Sequence, residues 1–444
     1  MDRPPPPPER ADVYAAHYTA LAAANGAPAW VQARRQAGLA RFQALGYPTT
    51  DDEDWRFTDL TALKRTAFAP APAEALPGDA GRAAVAAARL PGDGTHLLVL
   101  VDGRYRADLS AVGALPPGVV VGGLAAALAA GDPRVRQLDV AVDRAGAFAA
   151  LNTAFLRDGA CVLVPDGAAL DRPVEVLHLA SGAAPNTVAH PRVLVHAGRG
   201  AALAVIETYA AAADAVPYFT NAVTDLTVGA DAQVEHCRHQ REGATAFHVG
   251  TVHATLGAGA NFSQYAVSTG AQLGRGDVTV AFAGEHAECR LNGLYLGAAR
   301  QLLDTHSTLD HQVAHGTSRQ VYKGVLADHA RGVFSGRIVV RPGAQQTDAK
   351  QSNRALLLSD DARVNSKPQL EIYADDVKCT HGATVGQLDA AALFFLRARG
   401  LAAAQARGLL TYAFAAEALE GLRTTAFRDA MDQLLLVHFG IADV

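Results

Sequence analysis

Four cysteines, two methionines and two tryptophans are all that 444 residues carry of these types. The cysteines, Cys161, Cys237, Cys289 and Cys379, are widely scattered and form no CxxC. That argues against a disulfide framework, and a reducing cytoplasm is the compartment expected. A self-contained four-cysteine cluster is excluded on the same ground, because four thiolates have to converge on it. Long apolar runs are missing too. The most apolar stretches are broken by Glu207, Asp214 or Gly and Pro, well short of the roughly 20 residues that a membrane span requires. The first ten residues hold a five-proline run and no apolar segment, so no secretory signal is expected. A net charge of -5 speaks against a nucleic-acid partner. There is no GxxxxGK[ST], so the chain should not hydrolyse ATP through a phosphate loop, and there is no GxSxG or HExxH.

What is present is a large apolar fraction, 50%, with 19% charged residues, enough for a sizeable core in two or three domains. Residues 1–10 read as a stiff, disordered proline tail. Residues 11–150 read as a mainly helical region. Tyr14, Tyr18 and Leu21 carry one helix, and Trp30, Ala33, Ala37 and Leu39 a second. Asp51–Leu60 is expected to form a turn that packs Trp55 and Phe57 on the core. Residues 69–92 look like a loose connection. Leu97–Val101 is strand-like, and Leu124–Ala130 and Arg144–Phe155 suit short helices.

From 151 to 387 short Val/Ile/Leu/Phe runs alternate with Gly, Asp and Asn turns. A beat recurs in which a small-residue turn is followed by Ala, any residue and an apolar one. It stands at Ala168-Ala169-Leu170, Ala201-Ala202-Leu203, Ala232-Gln233-Val234, Ala260-Asn261-Phe262, Ala287-Glu288-Cys289 and, further on, Ala362-Arg363-Val364. Periods of this length with strands inside them point to a β-solenoid rather than a sandwich. Helical segments on both sides would cover its ends. Residues 388–444 return to helical spacing, with Phe394 and Phe395 on one stripe and Thr425 as an N-cap for the last helix.

The chemistry gathers where the β pattern ends, at Val377-Lys378-Cys379-Thr380-His381-Gly382. On a strand, residues two apart share a face, so Cys379 and His381 project side by side. A thiolate and an imidazole make half of a metal site, and the other ligands have to come from elsewhere. The spacing alone leaves open a buried cysteine beside a hydrogen-bonded histidine. His311 and His315 have a helical metal spacing, but the segment reads as strand, where they stand about 13 Å apart. Gly257-Ala258-Gly259 lacks the third glycine of a dinucleotide loop and reads as a solenoid turn.

The ordered run of Glu53-Asp54-Trp55-Arg56-Phe57-Thr58, Asp304-Thr305-His306, Phe334-Ser335-Gly336-Arg337-Ile338, Gln345-Gln346-Thr347-Asp348, Gln351-Ser352-Asn353, Lys367-Pro368-Gln369 and Cys379-Thr380-His381-Gly382-Ala383-Thr384 resembles the SufB/SufD family of iron–sulfur cluster assembly scaffolds. Gly382, where SufB-like chains carry an acidic residue, resembles the SufD branch. The resemblance implies a right-handed parallel β-helix between helical regions, without catalysis of its own. It implies a SufB-like paralogue and a SufC-like ATPase as partners, the ATPase docking on residues 388–444. It implies Cys379 and His381 as ligands of iron or a transient cluster shared with the paralogue. It also implies a reduced flavin (FAD) held by the complex, with no site assignable on this chain. A SufB-like role, a β-helix carbohydrate-active enzyme and a homodimeric metal-binding protein remain as other readings. The enzyme would need paired carboxylates on one solenoid face.

Overall fold

The computed structural model describes residues 11–23, 26–72, 75–92, 94–139, 146–213 and 216–441. The proline tail and Arg144 lie outside these residues. Two sheets, one of 11 strands and one of 10, form the two walls of a flattened β-solenoid. From Ala202 onward the chain alternates between the walls, so each strand pairs in parallel with the next-but-one in sequence. The first wall runs through Tyr218–Val228, Phe247–Leu256, Leu273–Phe282, Leu302–His311, Arg331–Val340 and Arg363–Ile372. The second runs through Ala202–Ala211, Gln233–Gln240, Asn261–Ser268, Glu288–Gly297, Thr317–Leu326, Asp348–Leu357 and Lys378–Gly386.

The recurring beat is the register of the second wall. Ala202, Gln233, Asn261, Glu288, Thr317, Asp348 and Lys378 pair one above another. Beside them Leu203, Val234, Phe262 and Cys289 stack in the core between the walls. Two residues before each of these strands but the last the chain turns through the left-handed region, at Gly200, Asp231, Gly259, His286, His315 and Gln346, with φ between 58° and 65°. Glycine takes that conformation without strain and Asp with little, whereas His286, His315 and Gln346 hold it against a steric penalty. Ala362-Arg363-Val364 does not continue the beat, because Arg363 pairs with Arg331 on the other wall. The continuation lies at Thr317, Asp348 and Lys378, where Ser318 and Thr347 have replaced the small apolar pattern.

The helices do not simply close the two ends. Ala29–Leu45 and Ala147–Ala154 lie against each other so closely that a Cβ on Gly38 would stand 2.7 Å from the Ala154 backbone nitrogen. Asn152 Nδ2 then donates to the carbonyls of Pro191 (2.9 Å) and Asn221 (2.8 Å), which pins the pair to the outside of the first wall. The 69–92 segment is more ordered than its composition implies, since Gly78–Ala88 is a helix. The strand His96–Val101 extends the second wall at its N-terminal end.

The C-terminal helices, Ala390–Arg397, Ala403–Ala416 and Thr425–His438, are not an end cap. They are tied to the outer face of the second wall. Asn292 Nδ2 donates to the Ala418 carbonyl (3.0 Å), and Lys323 Nζ donates to the Phe414 carbonyl (2.9 Å) and pairs with Glu417. Thr424 does not cap its own helix. Its hydroxyl and its N–H donate to Glu235, at 2.5 and 2.6 Å.

Candidate functional site

Lys378–Gly386 is the last strand of the second wall, and Arg363–Ile372 the last of the first. Among the described residues no strand covers the free edge of either. Cys379 pairs with Ala349 and His381 with Gln351. Both belong to columns that face the lumen. The column of Cys379 descends through Ala349, Ser318, Cys289 and Phe262, and that of His381 through Gln351, Gln320, Leu291, Gln264 and His236. The expected juxtaposition on one face is therefore present, at the open mouth of the solenoid. Cys379 is half-buried against the core. Burial pushes its thiol upward, with Asp348 adding to the shift and a backbone hydrogen bond from Ala349 opposing it. His381 is exposed. Around the mouth stand Ile372, Tyr373 and Val385, exposed by 40%, 59% and 53%.

The other cysteines are buried and free. Burial raises Cys161 to about 12 and raises Cys237 and Cys289 as well, so all three are inert thiols. His311 and His315 do not come together. His311 is buried, stacks on Phe282 with ring centroids 3.9 Å apart and meets Ser318 Oγ at 3.0 Å. His315 occupies the left-handed turn and stacks on His286 at 4.6 Å. Among the described residues, no three His, Cys, Asp or Glu side chains stand close enough to hold a metal ion together.

Two arrangements went unseen in the sequence. One is a polar core deep in the solenoid. There the Glu207 carboxylate, fully buried, takes hydrogen bonds from Tyr209 (2.7 Å) and Thr224 (2.7 Å) and pairs with His178 (3.0 Å) and His236 (2.7 Å). Burial would raise Glu207, but the two imidazoles outweigh it and hold the carboxylate well below its ordinary value. Aligning the coils on their register would have shown these side chains in lumen-facing columns. The other arrangement joins two distant motifs. Thr58 Oγ1 donates to Asp304 at 2.6 Å, Arg275 donates to Asp304 and to the Asp54 carbonyl, and its guanidinium lies 3.7 Å over the Trp55 ring. The segment continues towards the mouth, where, on the first wall, Asp54 pairs with Arg337 on the strand before the last and Glu53 with Lys367 on the last. Trp55 packs against Phe148 as expected, but Phe57 is 40% exposed and is not part of the core.

Residues 179–414 match the family model of the SUF system FeS cluster assembly SufBD core domain. Residues 9–176 match that of the SufBD protein N-terminal region. The chain belongs to the SufBD family. An iron-sulfur cluster assembly SufBD family protein of Synechocystis sp. is 34% identical over 90% of this chain and 89% of its own length. The iron-sulfur cluster assembly protein SufD of Escherichia coli is 32% identical over 91% of each. SufD of Bacillus subtilis is 24% identical over 62% of each. In SufBD terms, the strap at 53–58 lies in the N-terminal region and the mouth with Cys379 and His381 in the core domain. As for the membrane, no helix among the described residues is long and apolar enough to cross one.

Proposed function

We propose that this chain is the SufD-type scaffold subunit of a complex with a SufB-like paralogue and a SufC-like ATPase. In this reading it holds iron or a nascent cluster at the subunit boundary through Cys379 and His381. The observation that carries this is the open end of the solenoid. A thiol and an imidazole sit side by side there, in a rim of exposed apolar side chains and unpaired strand edges. Two ligands are half of a tetrahedral set, and a second chain abutting the mouth is the natural source of the rest. Thiolate and imidazole both suit iron. A thiol is ordinarily protonated at neutral pH and burial pushes that of Cys379 further up, so iron binding releases its proton and strengthens as pH rises.

The helix Ala390–Arg397 supports a docking role for the C-terminal region. It buries none of its residues, and Phe394 is 76% exposed. An apolar helix face left in water is the feature a partner covers. ATP hydrolysis is assigned to that partner. No residue of this chain is assigned to the flavin.

The test is anaerobic reconstitution of the co-expressed complex, read by visible absorption and bound iron. His381→Ala is expected to assemble normally and lose most of the iron, and Cys379→Ala to lose part of it. If both variants load iron like the native chain, the pair is structural and the reading fails.

A further inference from the structure

Directly beneath His381 in the lumen, one coil down, lies Gln351. Its side chain is 4% exposed, and neither its amide nitrogen nor its amide oxygen has a hydrogen-bond partner. Buried polar groups almost always have partners, so an orphaned amide with both ends free marks a function or a missing contact. The amide has been given a dedicated place. It reaches across the lumen to Gly336 on the opposite wall, where a Cβ would stand 1.8 Å from Gln351 Nε2. Any larger residue at 336 would displace it. The next strand of that wall places Pro368 beside Gly336, and a proline has no N–H to offer. The layer below is partly occupied, since Ser307 Oγ donates to Gln320 Oε1 at 2.7 Å. The neighbours of Gln351 along its own column are Gln320, whose Nε2 is likewise without a partner, and His381, the one of the two that stands at the open mouth.

We propose that Gln351, seated in the space left by Gly336, is the positioning residue for His381. Adjacent strands stand about 4.8 Å apart, so an amide and an imidazole on neighbouring coils close to a hydrogen bond with small side-chain rotations. The Gln351 amide then holds one ring nitrogen, fixes the tautomer and turns the other nitrogen outward to the metal. This is the part that carbonyls and carboxylates play behind metal-bound histidines. The inference rests on His381 being a ligand. It also gives a role to two motifs, Phe334-Ser335-Gly336 and Gln351-Ser352-Asn353, that stand apart in sequence.

The test uses the full-length chain labelled with 15N-histidine, with the His381 signal identified by its loss in His381→Ala. The tautomer ratio of His381 is read from its ring nitrogen shifts in the native chain, Gln351→Met and Gly336→Ala. Gln351→Met removes the hydrogen bond at nearly constant size, and Gly336→Ala displaces the amide without touching it. Both are expected to change the ratio, and Gln351→Glu, which keeps an acceptor, to restore it towards native. Anaerobic titration with Co(II) is expected to show binding roughly 10–100-fold weaker in Gln351→Met. An unchanged tautomer ratio in both disrupting variants overturns the proposal. If instead His381→Ala leaves Co(II) binding intact, the ligand reading is the one that fails. The tautomer comparison still decides whether Gln351 holds the ring.

Discussion

Asp304 shows how much one buried side chain carries here. It accepts from Thr58 and Arg275 and pairs with His306 at 3.0 Å, so it joins the N-terminal strap to the first wall. Burial would raise its carboxyl, but the charges of His306 and Arg275 bring it down to about 2. A folded-state value below the unfolded one stabilises the fold above the unfolded value, and that contribution is lost as pH falls towards about 2. The ordinary value of 3.8 lowered to about 2 corresponds to roughly 2 kcal/mol at neutral pH. Asp304→Asn is expected to lower stability by about that amount at pH 7. Chemical denaturation should show native and variant chains converging between pH 4 and pH 2. At this scale the sequence was legible in part. That Cys379 and His381 share one face was legible, because strand periodicity alone puts them there. Glu207, Gln351 and Asp304 were not, because their partners lie a whole coil or a whole region away.

Among the elements, the C-terminal helices depend on a few polar anchors over an apolar contact. Phe427, Met431 and Leu435 pack against Cys237, Tyr265 and Leu294 on the outer face of the second wall. Lys323, only 1% exposed, crosses from the wall to the end of Ala403–Ala416. Lys323→Met keeps the aliphatic stem, leaves the Phe414 carbonyl without its donor and leaves Glu417 with the more distant Arg354 (3.6 Å), a loss of about 1–3 kcal/mol. Hydrogen exchange should speed up selectively across 403–438 while the solenoid strands stay protected. The helices themselves were plain from their spacing. Their site of docking was not, because an apolar helix stripe matches a solenoid end as well as a solenoid flank. Anchors such as Asn292 and Lys323 appear only once the outer face of the wall is known.

The whole molecule is an asymmetric rod. At its N-terminal end the short antiparallel strands Arg104–Tyr105 and Val120–Gly123 finish the sheets and Tyr105, Val112 and Leu115 pack on the core, whereas the C-terminal mouth presents two strand edges with Tyr373, Ile372 and Val385. Exposed edges of this kind pair with other chains, and a two-fold contact lets a chain pair with its own copy. The isolated chain is therefore expected to self-associate at micromolar concentration. Tyr373→Lys with Val385→Lys should make it monomeric in sedimentation velocity. Under the proposed function, in which the SufB-like partner docks at the mouth, the same variant should also weaken co-purification with that partner.

Local chemistry written along the chain was sufficient for the solenoid, its coil length, its flanking helices and the Cys379–His381 pair. Each of these follows from periodicity: two residues for a strand face, about four for a helix stripe, and about thirty for a coil closed by a left-handed turn. Tertiary structure decided everything that depends on which coil lies over which. It put Gln351 under His381 and Gly336 opposite Gln351, and brought Thr58 to Asp304. It gathered His178 and His236 around Glu207, and left one end of the rod open. The reason is physical: a parallel stack joins residues about thirty positions apart, and a spacing of one turn or one strand carries no record of that neighbour.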